Sequence, residues 1–123
     1  MKSTYKSVII RNIKASKEKK KMTVNIISED NQTILSLSGR LDAANAPKLE
    51  AELKKSINGV EKLVFDFKEL EYISSAGLRV LLNAQKVMNK QGEMIVCNVN
   101  DTIADVFEIT GFVDILTIQG TTE

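Results

Sequence analysis

The alternation of strand-like and helix-like segments after residue 22 most constrains what this chain can fold into. Two segments with apolar residues at every second position come first, joined by the polar residues 29–32, which suit a hairpin. Segments with apolar residues three and four positions apart then alternate with short apolar runs. The predicted strands are residues 23–28, 33–38, 63–65, 93–99 and 113–118, and the predicted helices begin near Ala46, Ser75 and Asn100.

Strands that alternate with helices pair in parallel through right-handed crossovers, whereas a hairpin adds an antiparallel strand. The order β-β-α-β-α-β-α-β therefore predicts a single α/β domain with a mixed, mostly parallel sheet flanked by helices.

Charge divides the chain into two unequal parts. Residues 1–21 hold eight Lys or Arg and one Glu, whereas the remainder holds nine basic and fifteen acidic residues. This asymmetry predicts a basic N-terminal extension, residues 1–21, followed by a folded domain, residues 22–123. Clustered lysines attract nucleic acid and anionic membranes, but the extension has one aromatic residue, Tyr5, for stacking on bases. We therefore expect a solvated tail, with no direct nucleic-acid partner and no membrane partner.

Composition excludes several classes of enzyme. The chain has no histidine, which removes Ser-His-Asp and Cys-His arrangements, histidine metal sites and histidine phosphotransfer. Its single cysteine, Cys97, lies in the apolar run 94–97 and is expected to be buried. There is no apolar run near the roughly 20 residues of a membrane span and no signal-peptide core. A cytoplasmic protein without a metal or another cofactor is expected.

The most informative stretch is residues 66–79, where a strand ends and Ser74 and Ser75 precede a helix. The carboxyl ends of parallel strands are where open α/β sheets place their sites. A serine here has a structural explanation, because its hydroxyl can cap a free backbone N–H, and sequence physics alone favours it. The alternative is phosphorylation, since a phosphate at this position would lie near the positive end of the helix dipole.

Three acidic residues in the same stretch, Asp66, Glu69 and Glu71, raise the alternative of a small enzyme. Acid–base catalysis needs carboxylates that converge on a substrate, and proximity within one loop does not establish this. Gly77 lacks the further glycines and the lysine of a phosphate-binding loop. Solvated loop charges are the favoured interpretation. An enzyme that uses Asp66 or Ser75 would turn over a substrate without a protein partner.

Several motifs in register resemble one known family. Residues 72–78, YISSAGL, closely resemble the phosphorylation motif of STAS-domain anti-sigma-factor antagonists. Residues 39–42, GRLD, resemble the early G-x-L-D element of that family, and residues 92–97 and 107–112 resemble its later elements. The resemblance covers nearly all of residues 22–119, and several ordered motifs are far more specific than one.

The resemblance implies a non-enzymatic domain, a mixed sheet bordered by four helices, that binds a cytoplasmic serine kinase serving as an anti-sigma factor. The unphosphorylated antagonist would sequester the kinase, phosphorylation of Ser75 would release it, and a PP2C-type phosphatase would restore it. By motif position, Asp42, Ser74, Gly77 and Leu78 would join Ser75 at the partner surface. A capping or loop role for Asp42 is about equally well supported.

Two departures from the family pattern bear on the partner. Many relatives have aspartate immediately before the phosphoacceptor, whereas this chain has Ser74, which is therefore a possible second acceptor. The basic extension also lies outside the usual domain. The alternative within the same fold is a STAS module that regulates another kinase or phosphatase, or that serves a lipid- or anion-transport assembly.

Overall fold

The computed structural model describes residues 9–14 and 22–120. Its strands are β1 Ile9–Lys14, β2 Met22–Glu29, β3 Gln32–Leu41, β4 Lys62–Ile73 and β5 Glu93–Cys97, and its helices are α1 Ala46–Ser56, α2 Ser75–Gln91 and α3 Asp101–Thr110. The sheet order is β1-β2-β3-β4-β5, antiparallel from β1 to β3 and parallel from β3 to β5. The predicted mixed α/β fold is confirmed, but the sheet has two antiparallel and two parallel pairings and is therefore not mostly parallel.

Alternate residues of the strands build the core. Leu35 and Leu37 on β3, and Phe65 and Phe67 on β4, are almost completely buried. The two phenylalanine rings pack edge to face, with their centroids 6.0 Å apart. Burying a side chain of this size stabilises the fold by about 1.5–3 kcal/mol relative to exposure. The apolar side chains that α1, α2 and α3 contribute to this core include Leu49, Leu53, Leu81, Met88, Ile103 and Phe107.

The predicted helix boundaries are confirmed by local contacts. Pro47 lies in the first turn of α1, where its missing N–H costs no hydrogen bond. The Asn100 side chain caps α3 by accepting a hydrogen bond from the Ile103 N–H at 2.8 Å. Gly111 ends α3 with a left-handed backbone, φ 83°.

The predicted last strand, residues 113–118, is wrong. Residues 112–114 instead form a 3₁₀ turn, in which the Ile115 N–H donates to the Phe112 carbonyl at 2.9 Å. Because this tight turn occupies the backbone groups after Gly111, only Ile118 makes a β-bridge, to Val96. The four helices implied by the resemblance are also not all found, since the described residues form three α-helices and this turn.

The part of the chain assigned to the extension contributes an edge strand, so the expectation of a solvated tail is wrong for residues 9–14. Strand β1 pairs antiparallel with β2, with Ile10 opposite Ile27 and Ile13 opposite Val24. The rest of the extension lies outside the described residues. The domain boundary at residue 22 stays a prediction, because an edge strand can be added to a sheet that is already complete.

We expect a chain lacking residues 1–21 to fold cooperatively. The truncation removes the edge strand β1, whereas β2 keeps its antiparallel pairing with β3 on its other side. Circular dichroism and urea unfolding of the truncated chain test this, with the full chain as the control. A truncated chain without a cooperative transition would make β1 an integral part of the domain.

Candidate functional site

The carboxyl ends of β3 and β4 bring together two motifs that are some 30 residues apart in the sequence. Leu41 and Ile73 are register partners in this parallel pair. The Ser74 N–H donates to the Leu41 carbonyl at 2.9 Å, which joins the start of α2 to the end of β3. The loop that follows Leu41 therefore lies beside the first turn of α2, at the sheet edge where α/β proteins place their sites.

The two adjacent serines have different roles. Ser74 caps α2, because its Oγ accepts a hydrogen bond from the Gly77 N–H at 3.2 Å and its carbonyl accepts one from the Leu78 N–H at 2.9 Å. Ser75 is the first residue of α2, is exposed, and makes no side-chain hydrogen bond within the described part of the chain. The capping role thus belongs to Ser74 and leaves the Ser75 hydroxyl accessible.

Gly77 allows α2 to approach the strand ends closely. A methyl group at this position would lie 2.7 Å from Leu41 Cγ and 2.9 Å from Ile73 Cγ1. Gly77 and Leu78 are both buried, so in the free chain they pack the start of α2 against the core. The expectation that they contact a partner stays a prediction.

Asp42 shapes the loop before α1. Its Oδ1 accepts hydrogen bonds from the Ala44 and Asn45 N–H groups, both at 3.1 Å. The buried Asn45 side chain then donates to the Arg40 carbonyl at 2.7 Å, which fixes the loop against the end of β3. Asp42 therefore stabilises this loop through the hydrogen bonds of its side chain, as one of the two expected roles required. Because its side chain is only half-buried, it also remains available at the surface beside α2.

A cation–π pair that the sequence did not reveal lies near the carboxyl ends of β3 and β4. The Arg40 guanidinium carbon is 4.3 Å from the centroid of the Tyr72 ring. The two residues are register partners on β3 and β4. Both lie in the quoted motifs, but their contact depends on a strand register that the sequence pattern leaves open.

The carboxylates of Asp66, Glu69 and Glu71 do not converge on a common site. Asp66 lies within β4, which continues to Ile73, so the predicted end of this strand at residue 65 and the loop after it are wrong. Its Oδ1 accepts hydrogen bonds from the Lys68 N–H at 3.0 Å and from the Asn98 side-chain amide at 2.8 Å. Glu69 and Glu71 are exposed at the surface. This geometry offers no support for acid–base catalysis at these residues.

Cys97 lies in the core as predicted. Burial and the nearby Asp66 carboxylate both raise the pKa of its thiol above the ordinary value. Among residues 9–14 and 22–120 there is no group of His, Cys, Asp or Glu that could hold a metal ion. No helix in the described part of the chain is long and apolar enough to cross a membrane.

The fold and this site define a small mixed α/β domain that presents an exposed serine at the start of a helix. The family model of the STAS domain matches residues 22–123. The chain belongs to the STAS domain family.

Known proteins of this family resemble this chain in sequence or structure over most of its length. It is 41% identical over 105 residues to BtrV of Bordetella bronchiseptica, a candidate anti-sigma factor antagonist, a match that covers 84% of this chain and 89% of BtrV. A crystal structure of an anti-sigma factor antagonist from Mycobacterium paratuberculosis superposes with a TM-score of 0.77 at 22% identity, over 85% of this chain and 91% of that one. The phosphorylated form of the Bacillus cell fate determinant SpoIIAA superposes with a TM-score of 0.62 at 18% identity, over 94% of this chain and 93% of SpoIIAA.

Proposed function

We propose that this chain is an anti-sigma-factor antagonist that binds a serine kinase acting as an anti-sigma factor. Phosphorylation of Ser75 releases the kinase, and a PP2C-type phosphatase restores the binding form. The single observation that carries the proposal is the division of roles between the two serines. Ser74 caps the helix, and Ser75 exposes its hydroxyl at the same helix end.

A phosphate on Ser75 would change the surface without disturbing the core. The Ser75 hydroxyl makes no hydrogen bond within the described residues that the modification would break. About two negative charges would lie at the positive end of the α2 dipole, which favours them. A partner packed over this end of α2 would have to remove water from the phosphate, and its affinity would fall.

The half-buried Asp42 lies on the loop beside the start of α2 and extends the same surface. The identity to BtrV over most of both chains supports the antagonist function. The SpoIIAA structure shows that a domain of this fold exists in a phosphorylated form. These findings support a kinase-binding surface made of the loop after β3 and the first turn of α2. Phosphorylation of Ser75 would lower the affinity of this surface for the kinase.

A tagged pull-down from the organism that encodes the chain tests the proposal. We expect mass spectrometry to identify a serine kinase with the unmodified chain, and phosphate on Ser75 in the unbound pool. Phosphate on Ser74 instead would contradict the assigned roles, because Ser74 Oγ is engaged in the cap. Recovery of membrane transport subunits with an unmodified Ser75 would keep the family and overturn the regulatory function.

A further inference from the structure

We propose that the Arg79 side chain binds the phosphate of phosphorylated Ser75. This inference rests on the proposed phosphorylation and names the side chain that pairs with the phosphate. Ser75 and Arg79 are four residues apart on α2, and both side chains are exposed. Side chains at this spacing lie one above the other on a helix, with Cβ atoms about 5–6 Å apart. The long Arg79 side chain can therefore reach a phosphate on Ser75.

Arg79 lacks a competing carboxylate on its own helix. Residues 75–91 contain three basic residues, Arg79, Lys86 and Lys90, and no Asp or Glu. Within the described residues Arg79 also makes no ion pair. Unmodified α2 therefore carries, one turn from Ser75, a cation that has no ionic partner in the described part of the chain and that a phosphate on Ser75 would pair with.

The chemistry of arginine fits this role. Its planar guanidinium presents donors in a fork that matches two phosphate oxygens, and such charge-assisted pairs are among the strongest hydrogen bonds in proteins. Pairing with Arg79 favours the dianionic phosphate over the monoanion. The pair therefore increases the charge that the modification places on the surface near neutral pH, where phosphoserine changes its ionisation.

Other charged groups near the start of α2 are less suited to this role. The Arg40 guanidinium is stacked on the Tyr72 ring, 4.3 Å from its centroid. The carboxylates of Asp42 and Glu71, in the flanking loop and at the end of β4, would raise the pKa of the phosphate rather than lower it. Arg79 is the exposed cation one turn from Ser75 on α2, whereas the exposed Lys86 on the same face lies two turns further along the helix.

The test is a ³¹P NMR titration of the full chain with phosphoserine incorporated at position 75 during translation. We expect Arg79→Gln to raise the second pKa of the phosphate by at least about 0.3 pH units, and Arg79→Lys by less. Lys90→Gln is the matched control, since it removes one charge from the same helix about 22 Å from Ser75, and should leave the pKa unchanged. Equal shifts for Arg79→Gln and Lys90→Gln, or a larger shift for Arg40→Gln, would overturn the proposal.

A second measurement needs no substitution. The side-chain ¹⁵N–¹H resonance of Arg79 should move when Ser75 is replaced by phosphoserine, and an unchanged resonance contradicts the pair. Because the phosphoserine is placed by translation, both measurements are independent of any kinase. A pull-down that recovers no kinase would therefore not contradict the pairing of Arg79 with the phosphate. NMR measurements without an effect of Arg79 would contradict that pairing and would not affect the proposed kinase or the proposed phosphorylation of Ser75.

Discussion

Gly77→Ala is expected to lower the free energy of unfolding by about 1–3 kcal/mol, the usual cost of overpacking a core. An alanine inside a helix is ordinarily about 1 kcal/mol more favourable than glycine. Here the added methyl group would lie 2.7 Å from Leu41 Cγ and 2.9 Å from Ile73 Cγ1, and both neighbours are buried. The clash outweighs the helix propensity, and relief requires α2 to move away from the end of β3.

Urea unfolding measures this change, and two variants make it specific. Gly120→Ala is the matched control, because a methyl group there meets nothing within 4 Å. It should stay within about 0.5 kcal/mol of the parent. In a chain that already carries Leu41→Ala, the Gly77→Ala substitution should cost less, since its nearest neighbour is gone. A Gly77→Ala chain as stable as the parent would show that α2 can shift freely.

The close approach at Gly77 also illustrates what the sequence could and could not predict. Strand and helix patterns predicted the mixed sheet and the starts of the three helices, because these depend on local periodicity and on single residue types. Which serine caps α2 was not readable, since two hydroxyl groups stand side by side. The hydrogen bond from the Gly77 N–H to Ser74 decides it.

Other features depend on contacts between distant segments. Val113 and Ile115 alternate as in a strand, but the left-handed Gly111 turns the chain into a 3₁₀ turn and leaves both side chains partly exposed. The contact between Arg40 and Tyr72 depends on the β3–β4 register, which shifts between Ser36 and Ser38. Periodicity within one segment does not contain such information.

Phosphorylation of Ser75 is expected to weaken binding to the captured kinase by at least about 30-fold, with little change in the stability of the free chain. A phosphate buried at an interface without matching donors costs about 2 kcal/mol or more, and 1.4 kcal/mol corresponds to a tenfold change in affinity. Stability should hold because Ser75 is exposed and begins α2, where negative charge is favourable. Isothermal titration calorimetry with the phosphoserine form measures the affinity, and urea unfolding measures the stability.

Three further chains show whether the added charge is the cause. Ser75→Ala should bind like the unmodified chain, because it removes the hydroxyl without adding charge. Ser75→Asp should weaken binding less than phosphoserine does, because a carboxylate carries one charge and a smaller hydration shell. Ser74→Ala should bind but unfold more easily, by about 1 kcal/mol, because it removes the cap. A folded phosphoserine form with undiminished affinity would mean that the kinase does not contact this end of α2, since a dianion there would be solvated in both states.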